Sequence, residues 1–298
     1  MDLISKKHTC SKTKIIKMVG MVESSYYRKP SLGKKGKKPS KLTYNKTKGW
    51  VEEAAVLDSV KDILSHEFID CGYRLMTSYL KRDGYLINHK KLYRIMKNAR
   101  LLKLENRIDR SGSGRKFVRF RKVNTVRPFE CLEMDIKMVW IPSAGKNAYL
   151  LSVIDVHTRR ILKDYFSFSI KQAQVIEMLS LLFEKYKYPE SVVIRSDNGS
   201  QFIACSVREY LEIIGVDQEF THVATPEENA HIEAYHGILK KEVFKRFDYR
   251  TFGEIEQILK RYVVFYNNHR LHGLLGRITP MEKWGLDKHL ILMKKKTA

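Results

Sequence analysis

CLEMDIKMVW (131–140) decides the fold. Leu132, Met134, Ile136, Met138 and Trp140 alternate with Glu133, Asp135 and Lys137. A period of two is that of a half-buried strand, here with Asp135 on the polar face. AYLLSVIDV (148–156) is nearly continuously apolar, as a central strand is, and ILKDYFSF (161–168) makes a third strand. From Lys171 to Lys187 the period becomes helical, with Val175, Ile176, Leu179, Leu182 and Phe183 in register. SVVIRSD (191–197) predicts a short buried strand ending at Asp197. Ser200 is expected to cap a helix reaching Ile214, and VDQEF (216–220) to form a fifth strand. TPEE (225–228) offers an N-cap Thr225, Pro226 at the first helical position and Glu228 three after the cap, a strong helix start. Glu233 then stands two turns into the last core helix.

Three strands, a helix, a strand, a helix, a strand and a helix is the order of a ribonuclease-H-like core. The sequence thus predicts an α/β catalytic core at 128–247, with a five-stranded mixed sheet and flanking helices. Residues 248–298 read as its C-terminal extension. Asp135, Asp197 and Glu233 are candidates for one shared site, with 35 residues (198–232) between the last two. Three convergent carboxylates can hold two divalent ions, and paired ions drive in-line displacement at phosphate. Mg2+ prefers such oxygen ligands and keeps positions open for water and phosphate, and Mn2+ is expected to substitute. Asn229, Glu233, His236 and Lys240 share one helical stripe. Ile232, Tyr235, Leu239 and Val243 share the neighbouring one, which should face the sheet. Lys240 is thereby a candidate phosphate contact. Asp155, at the end of the second strand, competes for the role of metal ligand but reads better as a strand-end or turn carboxylate pairing Arg159 or Arg160, and Glu130 and Glu133 read as surface. His222, His231 and His236 fall near the presumed site.

At 298 residues the chain has room for two or three domains, and at 43% hydrophobic it can build a sizeable core. Its formal charge of +23, from 56 Lys+Arg against 33 Asp+Glu, calls for a polyanionic partner, duplex nucleic acid being the commonest. The charge is concentrated: residues 1–50 carry 14 Lys/Arg and 2 acids, and residues 81–127 carry 16 and 3. Cys10, Cys71, Cys131 and Cys205 form no CxxC pair, which argues against a disulfide framework and a Cys-rich zinc site. The opening MDLISKKHTC lacks an apolar signal core, and no apolar run approaches membrane-spanning length. The cytosol, with no membrane partner, is the expected location.

Outside the core, residues 1–30 read as a basic helix–break–helix fragment. It has Ile15, Ile16, Met18 and Val19 before Gly20, then Ser24 capping a helix with Tyr26, Tyr27 and Arg28. Residues 31–49 read as a basic linker. Residues 50–102 read as an all-α helix-turn-helix DNA-binding domain. Its last helix starts at the cap Asn88 and shows Lys90, Lys91, Arg94, Lys97 and Arg100 opposite Leu92, Tyr93, Ile95 and Met96. That is the layout of a recognition helix. Residues 103–127, with SGSG and FVRF, form a second basic connector.

LEMDI (132–136), IRSDNGSQF (194–202), EENAHIEAYHGILKKEVF (227–244) and YNNHRLHGLLGRITPMEKW (266–284) together resemble bacterial insertion-sequence transposases with a retroviral-integrase-like core. The resemblance is to the second-reading-frame product of the IS-three family. GYRLMTSYLKRDGYLINHKKLYRIMKNARLL (72–102) resembles that family's second helix-turn-helix. The resemblance implies that Asp135, Asp197 and Glu233 are the catalytic triad and Lys240 their basic partner. It also implies Mg2+-dependent strand cleavage and transfer at transposon ends, through a DNA-dependent homo-oligomer in the bacterial cytosol. Arg270 in the C-terminal block is a candidate DNA contact. Two departures stand out. Met134 replaces the usual Thr, so a secondary contact is expected to differ. A heptad zipper and a complete first helix-turn-helix are missing, which in the family come from an upstream reading frame, by partnership or frameshift fusion. The competing readings are a DNA-binding repressor or domesticated protein with an inert core, and a nuclease without joining activity.

Overall fold

The computed structural model describes residues 11–27, 39–103, 123–222 and 226–291. Thr225, Arg28 and most of the 103–127 connector lie outside them. The chain divides into two units, Met1–Lys41 and Leu42–Ala298. In the first, α1 (Lys12–Met18) is capped by Ser11 and buries Ile15 and Ile16. Gly20, at φ +68°, breaks it. A short α2 (Glu23–Tyr26) follows with Val22 as its cap, so Ser24 lies inside the helix and not at its start.

The core sheet has β4 (Cys131–Ile141), β5 (Lys146–Asp155) and β6 (Ile161–Ser167) in an antiparallel meander. β7 (Val192–Ser196) runs parallel to β4, and β8 (Val216–Phe220) parallel to β7. The order β6-β5-β4-β7-β8 is ribonuclease-H-like, with β4 central. On one face, Leu132, Met134, Leu151, Val153 and Ile194 pack with α6 (Gln172–Lys185) and α8 (Cys205–Ile213). The helix read over 200–214 is in fact two. α7 (Ser200–Ile203) is capped by Gly199 and separated from α8 by Ala204.

The opposite face is also covered. α9 (Ala230–Leu239) lays Ile232, Tyr235 and Leu239 on it, and α10 (Phe252–Asn268) adds Ile255, Ile258, Leu259, Tyr262 and Tyr266. The apolar stripe of α9 therefore faces the sheet as its spacing requires. β4 is not a half-buried strand: Val139 and Ile141 join this second core, while Met138 and Trp140 at the far end are 63% and 55% exposed. Among the described residues of the C-terminal extension, 248–291, several complete the core. Asn267 brackets Ile161, accepting from its N–H at 3.0 Å and donating to its carbonyl at 2.9 Å. Trp284, on α11 (Pro280–Asp287), packs against Phe129 beneath the first face.

The region read as an all-α domain contains its helices, α3 (Glu53–Ser65), α4 (Tyr73–Arg82) and α5 (His89–Asn98), around Val56, Val60, Met76, Leu80, Leu92 and Met96. It also contains a sheet: β1 (Leu42–Asn45) pairs antiparallel with β2 (Gly49–Glu52) and with β3 (Tyr85–Leu86). The linker read at 31–49 therefore ends in a hairpin. Four-residue strands in a lysine-rich stretch leave no apolar run to detect. This domain is tied to the core by Phe68, which sits among Tyr262, Phe247 and Phe265 at centroid distances of 5.3–5.5 Å. An Arg261–Glu67 ion pair at 2.8 Å and a Tyr79 hydroxyl donating to the His269 carbonyl at 3.1 Å reinforce it.

Candidate active site

β4 and β7 set the site. Their register pairs Cys131 with Val193, Leu132 with Ile194 and Glu133 with Arg195. Carried two residues on, it sets Asp135 level with Asp197, which lies one residue past β7. Asp197 is exposed, and its Oδ1 accepts from the Gly199 N–H at 3.0 Å. A Cβ on residue 199 would stand 3.0 Å from that oxygen and 2.7 Å from Gln201 Nε2, so a larger residue there would press on Asp197 and displace the Gln201 side chain.

Asp135 also heads a polar row across the sheet. It is opposite Ser152 on β5, and Ser152 is opposite Asp164 on β6. α9 lies over this row. His236 Nδ1 is 3.1 Å from Asp135 Oδ2, and the Tyr235 hydroxyl donates to Asp164 Oδ2 at 3.1 Å. Burial pushes the Asp164 carboxyl up to about 6.

Glu133, read as surface, is fully buried. Its Oε2 accepts from the His231 and Ile232 N–H groups at 2.9 Å each, and its Oε1 is 2.6 Å from His231 Nδ1. A carboxylate at the amide end of a helix satisfies donors that the helix itself cannot. Burial raises the Glu133 pKa to about 7, against the lowering influence of the Ile232 amide and Arg195. Arg195, also buried, donates to Glu219 at 2.7 and 3.0 Å and to the Glu228 carbonyl at 2.8 Å. Glu130 accepts from the Val126 N–H at 2.8 Å.

α9 starts later than its sequence implies. Residues Pro226–Asn229 form a 3-10 turn, Asn229 takes the cap position, and Glu233 falls in the first turn of the helix, not two turns in. Glu228, the intended box residue, accepts instead from the His222 N–H at 2.9 Å. On the stripe assigned to metal and DNA, Glu233 and Lys240 are exposed, while Asn229 and His236 are buried. Asn229 donates to the Met134 carbonyl at 3.3 Å. Lys240 opens a π-helical turn, Lys240–Phe244, a distortion often met at functional sites. Among the described residues, no group of three or more His, Cys, Asp or Glu side chains stands close enough to hold a metal ion.

Other assignments resolve by burial. Asp155 is a buried turn carboxylate, but its partners are the Phe129 N–H (2.9 Å), the Thr158 N–H (2.8 Å) and the Thr158 hydroxyl, not Arg159 or Arg160. Met134 points into the opposite core, so its replacement of Thr changes packing and leaves the site face untouched. Arg270 is held by Glu242 at 2.9–3.1 Å, and the Tyr262 hydroxyl donates to the same carboxylate at 2.8 Å. Burial works against the Arg270 charge, and Glu242 more than offsets it. On α5, Asn88 is the cap and Lys90 and Lys97 are exposed. Arg94 pairs with Glu53, and Lys91 donates to the Leu42 carbonyl at 2.6 Å.

Residues 125–226 match the Integrase core domain family and residues 214–280 a second Integrase core domain family, together more than half of the chain. Residues 52–107 match an HTH-like domain. The chain belongs to the integrase-core family, a class of polynucleotidyl transferases. It is 28% identical over 218 residues, 71% of this chain and 76% of the relative, to the candidate transposase InsK of insertion sequence element IS150 of Escherichia coli. It is 22% identical over 242 residues to the transposase of insertion sequence element IS904 of Lactococcus lactis, covering 79% of this chain and 96% of that one. Within the family it falls among the second-reading-frame transposases of the IS-three group. The catalytic core domain of BIV integrase superposes with a TM-score of 0.42 at 17% identity, over 54% of this chain and 97% of that one. The fold assignment rests on the sheet order.

Proposed function

We propose that this chain cuts and joins DNA strands at the ends of an insertion sequence, with Asp135, Asp197 and Glu233 as the acids that would be drawn together to hold two Mg2+ ions when DNA is bound. The observation that supports this reading most is the β4–β7 register, which, carried two residues beyond its last pair, brings Asp197, just past the end of β7, level with Asp135 on β4. Glu133 supports it by fixing on β4 the helix turn that bears Glu233. The donor set is all carboxylate oxygen, as Mg2+ or Mn2+ requires. When bound, the ions activate an attacking oxygen and stabilise the leaving one.

The chain's own groups orient the reaction. The Gly199 amide holds Asp197, His236 lies against Asp135, and Glu133 anchors α9. Lys240, exposed where the π-helical turn follows α9, meets a DNA phosphate. In strand transfer a 3′-hydroxyl oxygen forms the new P–O bond, the old bridging oxygen leaves with the proton, and no bond to the protein forms. The exposed Lys90 and Lys97 of α5 face duplex DNA, both terminal repeat and target. The working form is a DNA-dependent homo-oligomer in the bacterial cytosol, assisted by an upstream-frame partner or fusion. The test is incubation with labelled element-end DNA and Mg2+ or Mn2+, beside Asp197→Ala. Cleaved and joined products are expected from the wild type alone; identical products from both would end the assignment.

A further inference from the structure

The small sheet beside α5 carries an exposed aromatic face. On β1, Thr43 and Asn45 point inward at 3% and 1% exposure, so Leu42 and Tyr44 point outward. Tyr44 is opposite Trp50 on β2 and Leu86 on β3, and side chains so paired share a face. Trp50 is 69% exposed and Leu86 61%, and the Tyr44 and Trp50 rings meet edge to face at 5.5 Å. The hairpin tip is rigidly built: Asn45 Oδ1 accepts from the Thr47 N–H (2.9 Å), the Thr47 hydroxyl (2.8 Å) and the Lys48 N–H (3.1 Å). Asn45 Nδ2 donates to the Asp83 carbonyl at 2.9 Å. Lys46 and Lys48 are exposed on this tip and Lys41 at the other end of β1. The acids nearby are Glu52, Glu53, which pairs with Arg94, and Asp83 with Asp62 beside it, and no acid falls between residues 40 and 48. β3 leads into the Asn88 cap of α5, and Lys91 of α5 clasps the Leu42 carbonyl.

The geometry points to a DNA-binding wing: the β1–β2 hairpin docks on duplex DNA beside α5, with Trp50 and Tyr44 against sugar and base edges and Lys46 and Lys48 on phosphates. This rests on the reading of α5 as a DNA-facing helix. Charge selects DNA over a second copy of the chain, because a self-paired face would oppose like lysine rims. Lys91 is then the clamp that holds the wing to α5.

The test is fluorescence anisotropy of the full chain on a mixed-sequence duplex across a salt series. Trp50→Ala is expected to weaken binding roughly five- to tenfold, the scale of burying one partly covered apolar side chain, without changing the salt slope. Trp50→Phe is expected to recover part of the loss. Lys46→Ala with Lys48→Ala is expected to flatten the slope by about 0.9 per phosphate lost. Lys90→Ala with Lys97→Ala probes α5 separately. Wild-type affinity and slope in both wing variants, with weakened binding in the α5 variant, overturn the wing and keep α5. Weakened binding in the wing variants alone keeps the wing and removes the α5 reading. Loss of self-association by Trp50→Ala at unchanged DNA affinity makes the face a contact between copies and also overturns the proposal.

Discussion

On one face of the core sheet, Leu132, Met134, Leu151 and Val153 meet apolar side chains from α6 and α8. On the other, Glu133, Asp135, Ser152 and Asp164 run among Leu150, Ile154 and Tyr235 beneath α9. Both faces are covered; the first holds a buried acid at a strand end, Asp155 opposite Leu132, whereas the row of polar and ionisable groups crosses the second. Each of its buried carboxylates has a partner: helix amides for Glu133, a tyrosine hydroxyl for Asp164. Burying such groups is tolerable only when they are hydrogen-bonded. The first face thus maintains the sheet, and the second maintains it while presenting Asp135 at its edge.

The sharpest way to separate the faces is a pair of neighbours. Asp135→Asn should abolish strand cleavage and joining while costing no more than about 1 kcal/mol of stability, because Asn keeps an oxygen for the His236 ring at this half-buried position. Met134→Ala should cost roughly 2–5 kcal/mol of stability through a core cavity, with activity per folded molecule retained. Product gels and denaturant titration read both; a Met134→Ala chain that folds but does not cut would erase the distinction. Next comes Arg270→Ala, which leaves the half-buried Glu242 carboxylate without its cation and with the Tyr262 hydroxyl as donor. Losing a charged hydrogen-bond partner costs about 1.5–3 kcal/mol, so unfolding should move to lower denaturant. If the variant is stable and merely binds DNA less tightly, Arg270 is a DNA contact after all.

Glu133 gives a smaller effect with a finer reading. Glu133→Ala leaves the His231 and Ile232 amides without their acceptor, at about 1–3 kcal/mol for an unsatisfied buried donor, and loosens the turn bearing Glu233. Glu133→Gln retains a carbonyl oxygen and should restore most of the stability and cleavage. Equal loss in both would mean that charge, not anchoring, is what the site uses.

The strand order was legible because alternation and apolar runs report burial directly. Its error has the same source: a period of two assumes a wet polar face, and α9 and α10, far along the chain, cover that face. Glu133 was therefore read as surface, although an acid two residues from a candidate ligand on the same strand face was a visible signal. In ILKDYFSF, Asp164 is one acid among aromatics, a pattern that fits a buried carboxyl. Arg270 could not be assigned from its motif, since Glu242 lies in a different segment. The start of α9 shifted because residues 226–229 wind as a 3-10 turn, moving the cap to Asn229.

The smallest effect tests whether the second face holds an acid in its neutral form. Burial raises the Asp164 pKa from 3.8 to about 6, so between these values the folded chain binds a proton that the unfolded chain releases. Stability from this group is full below pH 3.8 and is lost as the pH climbs through about 6. The slope cannot exceed that of one proton, about 1.4 kcal/mol per pH unit. Asp164→Asn keeps an oxygen for the Tyr235 hydroxyl and has nothing to titrate. Denaturant midpoints across that window should therefore fall less steeply with pH in Asp164→Asn than in the wild type. Equal slopes would mean that Asp164 stays ionised beneath α9, and that this face tolerates buried charge as well as buried carboxyl.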